Sequence, residues 1–184
     1  MSNLERPSVK RVRDALVSAG LEDTVMEMAE TARTAQDAAA AVGCALGAIV
    51  KSLCYSVDNR FVMALVAGDH SLAEDRLAMS LKLNGKVRRP QASEVKGITG
   101  FTIGGVAPIG LSHPLPLVID GSLKRFERIY AAAGHPHCVF EISFDDLARI
   151  TDGVISYTVA EPNEGVAPFR PSFKRSKTFQ QGAD

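Results

Sequence analysis

With 184 residues, 46% of them hydrophobic and 23% charged, the chain is long enough for one domain with a real core. Its 21 basic and 21 acidic residues cancel, which excludes a global field that draws it to nucleic acid or an anionic membrane. Cys44, Cys54 and Cys138 are widely spaced with no C-x-x-C pair, which argues against a disulfide frame or zinc site and for a reducing compartment.

The opening MSNLERPSVKRVRDAL lacks the apolar run of a signal peptide, and no apolar stretch is long enough to span a bilayer. A cytoplasmic protein without membrane association is therefore expected. Ser8 is set to N-cap a helix with Val9, Val12, Leu16 and Ala19 on one face and Gly20 as its stop. Residues 24–28 read as a short strand. Thr34, with Asp37 in the capping-box position and Gly43 as the stop, predicts a helix of two turns whose alanines permit close packing.

The next stretch, IVKSLCYSV (Ile49–Val57), alternates as a strand. Ile49, Lys51, Leu53, Tyr55 and Val57 share one face, so a lysine stands among apolar neighbours. A buried ammonium needs an anion, a pocket or a lowered pKa. Alternatively Lys51 lies near the strand end and snorkels to water, or the opposite face is the inward one. Asp58-Asn59 then turns the chain into FVMALVA, a central strand paired antiparallel to the first. Ser71 and Glu74 form a capping-box pattern for a helix reaching about Leu83, and a basic connection with Lys82, Lys86, Arg88 and Arg89 follows.

A short helix at 93–98 leads to Gly100. FTIGGVAPIG then predicts a short strand, 101–103, running into a glycine turn. Further strands are expected at 115–120 and 128–133, around a helical turn at 122–126. A hairpin through Gly134-His135-Pro136-His137 leads into 138–142. Ser143 caps a short helix and 154–159 closes the sheet. From Glu161 onward prolines and charges show no periodicity, which predicts an extended tail over 161–184 beyond a domain at 1–160. Strands arriving in hairpins with helices inserted between them indicate an α+β (mixed α/β) fold with a largely antiparallel sheet, not a doubly wound nucleotide fold.

Gly104-Gly105-Val106-Ala107-Pro108-Ile109-Gly110 matches neither a Walker loop nor G-x-G-x-x-G. Its glycines let main-chain groups face a cavity and hold a small polar ligand or an oxyanion; a plain tight turn explains the pattern equally well. No G-x-S-x-G or H-E-x-x-H is present. His135 and His137 read as turn residues rather than metal ligands, and Cys54 and Cys138 as small core residues.

Four stretches in register, TARTAQDAA (31–39), IVKSL (49–53), TGFTIGGVAPIG (99–110) and LVID (117–120), with FDDLARIT (144–151) closing, resemble the YbaK/ProX family of aminoacyl-tRNA editing domains. Members of that family also occur inserted in bacterial prolyl-tRNA synthetases. The resemblance implies a partly closed, mostly antiparallel sheet flanked by helices. It also implies hydrolysis of the ester in a mischarged tRNA without metal or cofactor, by a free-standing trans-editing enzyme. Carried onto this sequence, the family's lysine is Lys51 and its glycine-proline loop runs from Gly104 or Gly105 to Pro108. Those four residues are the expected catalytic set. Ser52, Val106, Ala107, Ile109 and Gly110 are expected at the substrate, Lys51 meeting phosphate or ribose oxygens of the terminal adenosine. Synthetase-inserted relatives bring a late-hairpin histidine to the site; either His137 or Cys138 falls near that position, and His137 is kept as a candidate.

The resemblance leaves the amino acid open among Ala, Cys, Ser, Thr and a small non-protein analogue, with tRNA-Pro the expected carrier. Lys82, Lys86, Arg88 and Arg89, with Lys96, Arg170, Lys174, Arg175 and Lys177, are candidate tRNA contacts or, equally, a solvated surface. The expected partners are an aminoacyl-tRNA 3′ end and a prolyl-type synthetase, for a monomer or homodimer. Two rival functions stand beside this one: a non-catalytic module that binds tRNA ends or a synthetase, and a hydrolase of small aminoacyl esters.

Overall fold

The computed structural model describes residues 2–172. In chain order the elements are α1 (Pro7–Ser18), β1 (Val25–Glu27), α2 (Ala35–Val42), β2 (Ile49–Val57), β3 (Arg60–Ala67), β4 (His70–Leu72), α3 (Glu74–Ser80) and β5 (Val87–Arg88). There follow α4 (Ala92–Thr99), β6 (Leu117–Asp120), β7 (Ile129–His135), β8 (Cys138–Ile142), α5 (Phe144–Thr151), β9 (Val154–Ser156) and β10 (Ala160–Pro162).

The fold is mixed α+β, but the main sheet is not largely antiparallel as the hairpin pattern suggested. Its order is β1-β8-β7-β2-β3-β6-β9, with β5 beside part of β2. The pairings β1–β8, β8–β7, β2–β3 and β2–β5 are antiparallel, whereas β7–β2, β3–β6 and β6–β9 are parallel. Hairpins announce themselves through adjacency and turn residues. Parallel neighbours meet only through long crossovers, which leave no local signal. The sheet curls and is only half closed.

Strand β3 lies at the centre, and its side chains alternate between two cores. Met63, Leu65 and Ala67 join Val9, Val12, Leu16, Phe101, Ile119 and Phe140 on one side. Val62, Ala64 and Val66 join Tyr55, Val57, Leu77 and Val159 on the other. A third, small cluster sets Ala38 and Ala39 of α2 against Ile49. Alanine at these two places keeps α2 close to the lysine strand.

Local signals held where side chains cap backbone. Thr34 Oγ1 accepts the Asp37 N–H while Asp37 accepts the Thr34 N–H, and Gly43 ends α2 at φ 79°. Ser143 caps α5 as expected. Other signals lost to competing partners. Helix α1 starts from Arg6 with Pro7 in its first turn rather than from Ser8. Ser71 caps nothing: it sits in β4, paired with Glu161 of β10, and its hydroxyl donates to Asn163 Oδ1 (2.6 Å). The ordered pairing thus runs to Pro162, past the boundary expected at 160. Residues 101–103 form no strand, because Phe101 is buried beneath the Arg11 guanidinium (4.6 Å to the ring centre) and Gly105 N–H closes a turn onto Thr102 O. The candidate contacts Lys174, Arg175 and Lys177 lie outside the described residues. No helix among the described residues is long and apolar enough to cross a membrane.

Candidate active site

A cavity of about 530 Å³ opens beside β2. Its floor is the strand itself, from Ile49 to Tyr55. Arg33, Thr34 and Ala38 from the start of α2 form one wall, and Ala132, His135, Pro136 and Cys138 from the β7–β8 hairpin form the next. Ile103, Gly104 and Val106 of the glycine loop close a third side, and Arg89 and Pro90 stand at the far end.

Lys51 lies in this floor, half-buried, and its ammonium donates to the main-chain carbonyl of His70. Burial pushes its pKa down, and the carboxylates of Asp120 and Asp69 push it back. Both acids are themselves held. Asp120 Oδ2 accepts Ala67 N–H (3.2 Å) and its Oδ1 accepts Ser122 N–H (2.9 Å). Asp69 takes both arms of Arg125, at 2.9 and 2.7 Å, and a 2.8 Å contact from His70 Nδ1. Burial alone would raise the Asp69 pKa, but the bonds from Arg125 and His70 outweigh it and hold the carboxyl below its usual value. The charge that periodicity marked as misplaced is therefore answered from within the fold by a carbonyl and two nearby carboxylates.

This network gives a first expected result. Arg125→Ala leaves Asp69, whose side chain is 13% exposed beneath Arg125, without its fork, at a cost of about 1–3 kcal/mol. A urea titration at pH 7 should show the lower midpoint with an unchanged slope. The Asp69 pKa is depressed in the fold, so its stabilisation is present above the unfolded carboxylate pKa and lost as pH falls through the folded value. The deficit of the variant should therefore shrink in acid; an equal midpoint at pH 7 would sink the role given to the pair.

The glycine loop is divided between two places. Gly104, at φ 96°, and Val106 line the cavity, but Gly105, Ala107 and Pro108 do not. Ala107 is fully buried in the core, and Pro108, Ile109 and Gly110 border a second cavity of about 240 Å³ against α1 and Leu117. Apolar side chains between the glycines anchor the loop and turn its second half away. Arg11 fastens both ends, donating to Gly100 O (3.0 Å) and Gly110 O (3.2 Å).

Among the other expected site residues, Ser52 lines the cavity, although its hydroxyl is buried and has no hydrogen-bond partner among the described residues. His137 is not in the lining; its Nε2 lies 2.6 Å from Thr31 Oγ1. The hairpin contributes His135 and Cys138 instead. His135 Nδ1 accepts the His137 N–H (3.2 Å), which leaves Nε2 as the proton-bearing nitrogen. Burial, with Arg6 and His137 nearby, lowers its pKa. Cys54 and Cys138 are thiols pushed up to about 11 by burial, unsuited to nucleophilic work. Among the described residues no group of three or more His, Cys, Asp or Glu side chains is arranged to hold a metal ion.

The basic connection is only partly free. Arg88 forks onto Glu94, holding that carboxyl down to about 2. Arg89 reaches Glu74 (3.1 Å) over the Tyr55 ring and remains 76% exposed at the cavity mouth. Lys82 and Lys86 are exposed, with no ion pair among the described residues. Sequence reading took His135 for a turn residue and did not single out Arg33 or Pro90. Only the hairpin position of His135 was legible, and periodicity says nothing of residues that meet across loops.

Residues 29–150 match the family model of the aminoacyl-tRNA editing domain. The protein YwhH of Bacillus subtilis is 29% identical over 145 residues, covering 78% of this chain and 91% of that one. The proline–tRNA ligase of Bacillus licheniformis is 26% identical over 162 residues, which is 83% of this chain but 28% of the ligase. A solved structure whose assignment as a trans-editing enzyme for prolyl-tRNA synthetase is provisional superposes with a TM-score of 0.76. It is 34% identical, covering 82% of this chain and 96% of its own.

Proposed function

Because the chain belongs to the family of aminoacyl-tRNA editing domains, we propose that it is a free-standing, cytoplasmic hydrolase that removes a small, wrongly attached amino acid from tRNA, with tRNA-Pro as the carrier. The observation that carries this reading is the cavity on β2. Lys51, main chain from the glycine loop and His135 border one space with small or apolar walls at Ala38, Ala132, Val106 and Cys138. Lys51 meets the phosphate or ribose of the terminal adenosine, exchanging part of its contact with His70 O for the anion. Water adds to the ester carbonyl, the ester C–O bond breaks, and the ribose oxygen leaves with a proton. Catalysis is positioning and electrostatics, with no protein nucleophile. The walls favour Ala, Cys, Ser, Thr or an analogue of that size.

The acceptor stem lies toward Arg89, Lys82 and Lys86, with a prolyl-type synthetase as the partner that supplies the mischarged product. Arg88, already forked by Glu94, contributes less.

The test is a deacylation panel: purified protein against tRNA-Pro and other tRNAs charged with each small amino acid. At least one substrate should be hydrolysed about 100-fold faster than without protein, with binding that weakens steeply as salt rises. Retention of tRNA with no hydrolysis across the panel would leave a tRNA-end-binding module. Equal turnover of free aminoacyl esters would leave a small-ester hydrolase.

A further inference from the structure

Strand β2 is paired on one side along nearly its whole length, Val50 to Val57, by β3. Its other edge is paired only at its ends: Ile49 and Val50 with β7, and Ser56 and Val57 with β5. Between these short pairings the edge is open, and that open stretch faces the cavity.

The register says which main-chain groups face outward. Gly68 N–H donates to Ile49 O (2.8 Å), so Ile49, Lys51, Leu53 and Tyr55 direct N–H and C=O toward β3, and the even-numbered residues direct theirs away. In agreement, Ala67, opposite Val50, donates away from β2, to Asp120. Val50 and Ser56 face β7 and β5. Ser52 and Cys54 are left with a donor and an acceptor each, turned into the cavity, and no other main-chain or side-chain group among the described residues meets them.

The edge stays open for covalent reasons. Continuing the β5 register by two residues would set Pro90 opposite Cys54, and proline has no N–H to give. At the other end β7 leaves its regular register between Ala132 and His135, where it bends under the glycine loop. A peptide strand needs a longer edge than two outward residues, roughly 7 Å apart. An aminoacyl ester does not: its α-ammonium is a donor and its ester carbonyl an acceptor, spaced as in one strand residue.

We propose that the aminoacyl group docks on this edge as a single added strand residue, its ammonium donating to the carbonyl of Ser52 or Cys54 and its ester carbonyl accepting the N–H of the same residue. This rests on the reading of the cavity as an aminoacyl-ester site and adds what recognises the ester. The recognition is by main chain, so it demands a free α-amino group whatever the side chain. The N–H that holds the ester carbonyl also faces the oxyanion formed when water adds. Side-chain size is then judged separately, by Val106, Ala132 and Cys138.

The probe is alanine joined to 3′-amino-3′-deoxyadenosine through a non-hydrolysable amide, with its propionyl counterpart lacking the amine. In ¹⁵N-labelled protein, amide exchange at Ser52 or Cys54 should slow by about tenfold or more on adding the alanyl compound. Leu53, bonded to β3, should not change. The propionyl compound should bind about tenfold more weakly. If the alanyl compound perturbs Gly104 and Val106 while exchange at Ser52 and Cys54 is unchanged, the edge role is overturned and the hydrolase reading survives. Equal affinity for the two compounds also overturns it. No binding in the cavity overturns both.

Discussion

Lys51→Ala should lower kcat/KM for deacylation by about 100-fold or more, equivalent to about 2.7 kcal/mol of transition-state stabilisation, while the variant keeps its fold. The fold survives because the ammonium is itself a cost to it. Burial depresses the Lys51 pKa, and among the described residues His70 O, Asp69 and Asp120 compensate. A lysine with a depressed folded pKa destabilises the native state wherever it is charged, and that penalty fades as pH rises through the folded value. Activity runs the opposite way: the charged form is the one that meets an anion, so turnover should fall as pH climbs through the same range. Lys51→Met, which keeps the aliphatic volume, should be as inactive as alanine and at least as stable as wild type. Circular dichroism and a urea midpoint measured beside the deacylation assay separate the two effects. Wild-type rates in Lys51→Met across the panel of charged tRNAs would sink the role given to the charge.

How much of this was written in the sequence depends on the kind of signal. The alternation over 49–57 placed β2 to the residue, and Thr34, Asp37 and Gly43 placed α2, since both rest on chemistry local to a few residues. The ambiguity at Lys51 was also real in the sequence. Periodicity put it on an apolar face, but the carbonyl of His70 and the carboxylate of Asp120 come from other strands and that of Asp69 from the turn between β3 and β4, and no spacing reports that. The glycine loop was visible as backbone freedom, yet its division was not. That division is decided by Ala107 and Ile109 entering the core and by Arg11 gripping Gly100 and Gly110. Likewise Pro90 reads as one more loop proline until the register sets it opposite Cys54. The family resemblance named Lys51 and the glycine loop together; of the residues it named, Lys51, Ser52, Gly104 and Val106 line the cavity, and Gly105, Pro108 and His137 do not. The parallel pairings, which no resemblance in single motifs encodes, were missed.

Gly105→Val should be the most damaging single change in the loop, and the reason is steric rather than conformational. A Cβ at Gly105 would stand 2.8 Å from His135 N, 2.9 Å from His135 Cα and 3.0 Å from Gly134 C. Those are backbone atoms, and they have nowhere to go. Gly134 is itself pressed onto α1, where a Cβ would meet Ser8 O at 2.6 Å, and His135 is paired with Cys138 across the hairpin. The loop must yield instead, at a cost of about 1–3 kcal/mol, and moving it carries Gly104 and Val106 away from the cavity wall. Deacylation should therefore fall about tenfold or more even where the variant remains folded, since small displacements of a positioning element cost rate steeply. Gly104→Ala is the contrast. Its Cβ would meet nothing closer than Pro136 Cγ at 3.6 Å, but φ is 96°, so the cost is backbone strain of about 1–2 kcal/mol with no collision. Thermal unfolding should rank wild type above Gly104→Ala, and Gly104→Ala above Gly105→Val. A Gly105→Val protein as stable and as active as wild type would mean that the loop does not lean on the hairpin. The wall that brings Gly104 to the cavity bordered by Lys51 would then have to be built some other way.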